Sequence, residues 1–146
     1  MNIRPFSIAD YEDVYALWVA TPGMGLNDID DSSAGIARYL HRNPSTCFVA
    51  LVSGKIVGVI LSGHDGRRGY IHHTAIAAKH RKQGIGTALV EAALEALRAE
   101  GIHKVGLVVF KKNDTGNTFW QKMGFVARDD LYYRNRALSV LKRMDT

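Results

Sequence analysis

The chain has 146 residues, 47% of them apolar and 23% charged, a length and mixture that suit one globular domain spanning 1–146 and exclude wholesale disorder. Its one cysteine, Cys47, excludes an internal disulfide framework and a four-cysteine zinc site, and no apolar run approaches the roughly 18 residues of a membrane span. The net charge of +5 divides unevenly: residues 1–65 carry 4 basic and 7 acidic groups, residues 66–146 carry 15 and 7, so the second half suits a polyanion, either nucleic acid or a phosphorylated small molecule. The N-terminus lacks a basic-then-apolar leader, and the expectation is an intracellular, cytoplasmic protein.

Taken in order, Asn2 to Phe6 reads as a short strand. Ser7 with Asp10 three residues on opens a helix carrying Val14, Leu17 and Trp18 at helical spacing, and Thr21-Pro22-Gly23 ends it. Gly23 to Asp31 reads as a loop. Ser32 or Ser33 opens a second helix with Ile36, Tyr39 and Leu40, stopped before Pro44. Cys47–Val52 and Ile56–Ser62 form a hairpin about Ser53-Gly54-Lys55, and Tyr70–Ala77 is a third strand after the turn at 64–69. From Gly84 to Glu100 an amphipathic stripe of Ile85, Leu89, Ala92 and Ala96 marks the longest helix, with Gly101 just past its end. Val105–Phe110 is an unbroken apolar run of the kind a strand buried on both faces shows. Thr115–Met123 suits a short helix, and Phe125–Ala127 with Leu131–Val140 suggests a closing hairpin. The expected class is α/β (α+β), a mixed sheet flanked by helices.

The most informative segment is Lys79-His80-Arg81-Lys82-Gln83-Gly84-Ile85-Gly86-Thr87, which follows a strand and opens the long helix. Glycines let backbone approach a ligand, successive amides form an anion nest, and a helix N-terminus adds free donors and partial positive charge. Lys79, Arg81 and Lys82 add full charges, which together make a diphosphate cradle. Neither a Walker loop nor a dinucleotide fingerprint is present, since Leu89 stands where the last glycine of the latter would be. The segment Arg81-Lys82-Gln83-Gly84-Ile85-Gly86 resembles the R/Q-x-x-G-x-G/A signature of the GNAT superfamily of N-acetyltransferases. Thr74-Ala75-Ile76 sits where that family has its L-A-V strand end, and Phe119-Trp120-Gln121-Lys122-Met123-Gly124-Phe125 is similar to its L-Y-E-K-L-G-F segment. The resemblance covers essentially the whole chain.

That resemblance implies the acyl-CoA N-acyltransferase fold, with a largely antiparallel sheet, and acetyl-CoA as cosubstrate, without a metal. It implies that Arg81, Lys82, Gln83, Gly84, Ile85, Gly86 and Thr87 hold the pyrophosphate. Backbone groups of Thr74 and Ile76 would meet the pantetheine at a splay between strands, with the Ile76 N–H polarising the thioester carbonyl. Asn113 falls where the family often places an asparagine that meets the cofactor, and Trp120 would lie beside the thioester. The incoming amine must lose a proton to a base with a pKa near neutrality, for which histidine is suited. Strand alternation places Tyr70, His72 and Thr74 on one face and Ile71, His73 and Ala75 on the other. Some family members, the arylalkylamine acetyltransferases among them, carry histidines at the positions of Tyr70 and His72. His72 is the preferred base and His73 the alternative. The tyrosine that often protonates the leaving thiolate is Trp120 here, whose indole N–H is no useful acid. Tyr132, Tyr133 or water remain as replacements.

The loop from Thr21 to Asp31 would shape the acceptor pocket, as in the family. Its Asp28, Asp30 and Asp31 suit a cationic amine, or serve only as an acidic lead-in to the next helix. Met24 and Leu26 would contact an apolar portion. The expected partner is a small-molecule or peptide amine, not nucleic acid and not a membrane, with homodimerisation left open. Two other classes compete: an acyl-CoA sensor that binds without turnover, favoured by Trp120, and a nucleic-acid-binding module built on the basic half. Against the latter, the charges gather around one loop and helix start.

Overall fold

The computed structural model describes residues 1–144. The elements run β1 (Asn2–Pro5), a 3-10 turn (Ile8–Asp10), α1 (Tyr11–Val19), α2 (Ser33–Arg42), β2 (Phe48–Val52), β3 (Lys55–His64), β4 (Gly69–Ile76), a second 3-10 turn (Ala78–His80), α3 (Ile85–Ala99), β5 (Val105–Gly106) and α4 (Asp114–Lys122). The five strands lie side by side in chain order. The first four pair antiparallel and β5 joins β4 in parallel. This is the expected mixed, largely antiparallel sheet flanked by helices.

Local chemistry sets the helix starts. The Ser7 hydroxyl accepts from the Ala9 amide (3.3 Å) and the Asp10 carboxylate accepts from the Ser7 amide (3.0 Å), closing a capping box. Arg4 of β1 grips the same carboxylate with two bonds of 2.8 and 2.9 Å, which ties the first strand to the first helix. Ser32, rather than Ser33, caps α2 through a 3.0 Å bond from the Gly35 amide. Gly101, at φ 80°, follows α3 in the left-handed conformation that ends helices.

Apolar side chains divide between the two sheet faces. Val14, Trp18, Ile36 and Leu40 of α1 and α2 pack on Val49, Val59, Leu61 and Ala75. Ile85, Leu89, Val90 and Ala93 of α3 pack on Ala50, Val57, Ile60 and Ile71. Cys47 is buried in the first of these layers. Burial pushes its thiol up to about 12, and its Sγ bonds to the Ser62 carbonyl at 3.0 Å, so it behaves as a small core hydrophobe.

Ile71 and Ala75 lie on opposite faces although they are four residues apart, and strict alternation would put them on one. The pairing with β3 explains this. Ser62 faces Ile71 and Ile60 faces Thr74, so the single residue Leu61 opposes both His72 and His73. That is a β-bulge, which inserts one residue and reverses the facing of everything beyond it. The expectation that His72 and His73 point to opposite faces is therefore wrong, as is the grouping of Thr74 with Tyr70 and His72.

Two expectations near the C-terminus are corrected as well. Val105–Phe110 is not a strand buried on both faces: pairing stops at Gly106, and Val108 and Phe110 are 60% and 50% exposed. Phe125–Ala127 and Leu131–Val140 form no hairpin among the described residues. Leu131, Tyr132, Tyr133, Leu138 and Val140 are exposed, so this stretch has apolar residues of strand type but no apolar surface beneath them. The chain instead returns beside the loop before α2, where Lys142 and Asp28 exchange bonds of 2.8 and 2.9 Å and Asn27 bridges to Arg143.

Candidate active site

The loop between β4 and α3 has the form of an anion cradle. Lys82 and Gly84 both take left-handed backbone angles, at φ 60° and 83°. Alternation of this kind turns successive amides toward one side. The helix begins with the Ala88 amide on the Gly84 carbonyl at 3.0 Å. The amides from Gln83 through Thr87 have no acceptor among the described residues. Arg81, Lys82, Gln83, Gly84 and Thr87 are exposed, while the Ile85 side chain belongs to the core. Arg81 donates from Nε to the Ile76 carbonyl at 3.1 Å, which ties the loop to the end of β4.

The two glycines serve different ends. A Cβ on Gly84 would meet open space, so its left-handed angle is what requires glycine. Gly86 has ordinary backbone angles, and a Cβ there would approach the Phe119 ring at 3.3 Å. Gly86 thus lets α4 close on α3.

Beside the loop, β4 loses its neighbour. Only Gly69 and Tyr70 pair with β5, so the strand from Ile71 to Ile76 has an open edge. The Ala77 amide bonds to the Val57 carbonyl at 2.8 Å across the other edge. Because amides alternate along a strand, those of Ile76 and Thr74 point into the open side. The Thr74 hydroxyl is buried and has no hydrogen-bond partner among the described residues. The splay expected from the resemblance is present, and Ile76 stands at its mouth.

On the α1–α2 side of the same strand, the bulge brings His72 and His73 together into one cleft of about 450 Å³, floored by Leu61 and walled by α2 and the loop before it. His73 Nε2 lies 2.7 Å from Asp31 Oδ1, and its ring meets Trp18 edge-on at 5.1 Å. His72 is open to the cleft and wedged between Tyr39 (5.5 Å, edge-on) and Tyr70 (4.6 Å). Burial on its protein side, and then His73, hold His72 below the usual histidine value. It is therefore neutral near pH 7, the form that accepts a proton. Burial raises Tyr39 well above the usual phenol value, so it stays a neutral hydroxyl. Tyr70 is also raised, by burial and then by the nearby Tyr133.

The acidic loop is largely spent on itself. Asp31 is buried, and its second oxygen accepts the Asn27 amide at 2.8 Å. Asp30 accepts from Asn27 Nδ2 at 3.0 Å, and Asp28 holds the Lys142 amide. Of the two readings of these aspartates, loop architecture accounts for the geometry. Leu26 is buried in the core and Met24 packs against it.

Asn113 caps α4, its Oδ1 accepting the Gly116 amide at 2.9 Å, which leaves its NH₂ as the group free to meet a ligand. Trp120 is half-buried between Phe119 and Phe125, with edge-on contacts of 5.0 and 5.2 Å, in the α3-side core. Three cleft residues carry no motif in the sequence and are placed by the fold alone: Arg38, Tyr39 and Arg42. The signal that could have found them is the four-residue spacing of two arginines on the helix bearing Tyr39, which places them on one face.

Comparison with known proteins agrees with this geometry. The model of the acetyltransferase (GNAT) family matches residues 11–125. An acetyltransferase of Sodalis glossinidius is 31% identical over 138 residues, covering 94% of this chain and 96% of its own. The crystal structure of Ard1 from Thermoplasma volcanium superposes with a TM-score of 0.76 at 30% identity, over 86% of this chain and 82% of that one. The PaiA N-acetyltransferase of Thermoplasma acidophilum, solved in complex with coenzyme A, gives 0.75 at 20% identity, over 88% and 91%.

Proposed function

The chain belongs to the GNAT family of acetyltransferases, and from that premise we propose that it transfers the acetyl group of acetyl-CoA directly to a primary amine within a ternary complex. The observation that carries this reading is the row of amides from Gln83 to Thr87 with no acceptor among the described residues, set beside the open edge of the strand that presents two histidines to a cleft. The residues present fit the cosubstrate: five amides, a helix N-terminus and the exposed Arg81 and Lys82 answer the charge of a diphosphate.

Acetyl-CoA brings an activated thioester; the remaining tasks fall to this chain. The cradle binds and orients. The Ile76 amide, aimed into the splay, donates to the carbonyl oxygen as negative charge gathers there. His72 takes the proton from the amine nitrogen as that nitrogen bonds to the carbonyl carbon and the C–S bond breaks. Its depressed pKa suits the role, since the neutral imidazole is present at physiological pH. The His73 ring is held by Asp31 at 2.7 Å and takes the part of a positioning residue. The departing thiolate takes its proton from water, because Trp120 has no acid to offer.

A second reading, an acyl-CoA sensor without turnover, is favoured by Trp120. Release of free thiol from acetyl-CoA across an amine panel, with calorimetric titration of acetyl-CoA, separates the two. Binding with turnover of some amine supports transfer, and binding with turnover of none supports the sensor.

A further inference from the structure

The acceptor cleft holds two cationic side chains that stand outside any ion pair among the described residues. Arg38 and Arg42 line it from α2, one helical turn apart and both exposed. Neither bonds to any acceptor among the described residues. The carboxylates that face the same cleft keep their charge but bond elsewhere than to the arginines: Asp31 to His73 and the Asn27 amide, Asp30 to Asn27 Nδ2, and both act on His72, where an amine would sit. Arg42 also lines an adjoining cleft of about 270 Å³ together with Arg68 and His72. There the carboxylate among the described lining residues, Asp65, accepts the Arg67 and Arg68 amides at 2.8 Å each. Like charges four residues apart on a helix repel. Two such guanidinium groups, with no counter-ion among the described residues, are the arrangement that binds a planar or tetrahedral oxyanion by paired N–H donors.

This anion is not the diphosphate of the cosubstrate. Arg42 shares its cleft with Gly63, His64 and Gly69, at the start of β4, whereas the cradle adjoins Ile76 at its end. At about 3.3 Å per residue the two ends are roughly 20 Å apart. His72 stands between them and lines both clefts. We propose that the acceptor is an amine that also carries an anionic group, a carboxylate or a phosphate, held by Arg38 and Arg42 while its amine meets His72. This rests on the transfer reading above and narrows its substrate class; it disfavours polycationic amines, which the arginines would repel.

The test pairs each anionic amine with its neutral counterpart: glycine, β-alanine and γ-aminobutyrate against their amides, and O-phosphoethanolamine against ethanolamine, with spermidine as the polycation. Free thiol is measured for the native chain and for Arg38→Gln, Arg42→Gln, the double variant, and His41→Gln as an exposed control on the same helix. The expected result is a preference in kcat/KM of at least about tenfold for an anionic member over its neutral pair, lost in the double variant through a raised KM and kept in His41→Gln. Amino acids against O-phosphoethanolamine distinguish carboxylate from phosphate. Equal or better turnover of the amides or of spermidine, or a preference that survives the double variant, overturns the inference and leaves acetyl transfer standing. If no amine is turned over, the transfer reading fails. Calorimetric binding of the same amines to the CoA-loaded chain then decides this inference alone: weakening by about tenfold or more in the double variant sustains it, and unchanged or absent binding overturns it.

Discussion

His73 Nε2 lies 2.7 Å from Asp31 Oδ1, so the middle of β4 is fastened to the loop that precedes α2. The same carboxylate holds the Asn27 amide, and the Asp31 carbonyl accepts the Tyr11 hydroxyl at 2.6 Å. One residue thus joins α1, the loop before α2 and the central sheet.

Asp31→Ala removes both carboxylate bonds at a buried position, and groups left unpaired there cost about 1–3 kcal/mol. The expected result is a stability in urea lowered by that amount, with KM for the acceptor raised more than KM for acetyl-CoA. Asp31→Asn keeps one acceptor and should recover part of the loss. An unchanged urea midpoint in Asp31→Ala would show that the contact contributes nothing to the fold.

For His72, kcat/KM is expected to rise with pH through an ionisation below the ordinary histidine value of 6.5, since burial and His73 depress it. The neutral form then persists to lower pH than in a free histidine. The sign for stability follows from the same shift. The unfolded chain binds the proton more readily, so His72 costs stability as pH falls through its unfolded value. His72→Gln should lower kcat roughly 100-fold or more and remove that ionisation. A variant with near-normal kcat and the ionisation intact would move the base to His73.

At the cradle, Gly84→Ala and Gly86→Ala should fail differently. Gly84 needs its positive φ, which costs a side-chain-bearing residue about 1–2 kcal/mol, so loss of stability and of acetyl-CoA affinity should appear together. Gly86→Ala presses on Phe119, and Phe119→Leu in the same chain should restore part of the loss. The double-mutant cycle by thermal denaturation reads this directly. Simple additivity would rule out the proposed contact.

Trp120 packs between two phenylalanines and offers no acid. Trp120→Phe should therefore keep most of kcat, at some cost in thermal stability. Trp120→Tyr should gain little if water protonates the thiolate, and should raise kcat and add an alkaline ionisation if a missing acid limits the rate. A collapse of kcat in a folded Trp120→Phe would make the indole N–H a required donor.

Much of this molecule is legible along the chain because the signals are local. Ser7 with Asp10, Ser32, Gly101 and the stripe of α3 act over one or two turns, and the observed elements begin and end near them. The left-handed Gly84 beside basic residues is likewise local, which is why the cradle is legible from its own few residues. The run Val105–Phe110 and the stretch after Gly124 misled for a physical reason. Apolar, β-prone composition makes a strand only where a partner edge and an apolar face are present.

What the sequence by itself determined is the elements through α3, the short helix α4 and the glycine loop, written in short-range periodicity and backbone preference, and the family, through the resemblance of its motifs. What only the tertiary structure decided is the chemistry of the cleft. Whether His72 and His73 share a face depends on how β4 registers against Leu61 of β3, a pairing between separate strands that no periodicity in β4 records. Whether Asp31 attracts a substrate or clamps His73, and whether Arg38 and Arg42 are neutralised or free, depends on which groups the fold brings within hydrogen-bond reach. Charge can be counted along a chain, but its availability is set by three-dimensional neighbours.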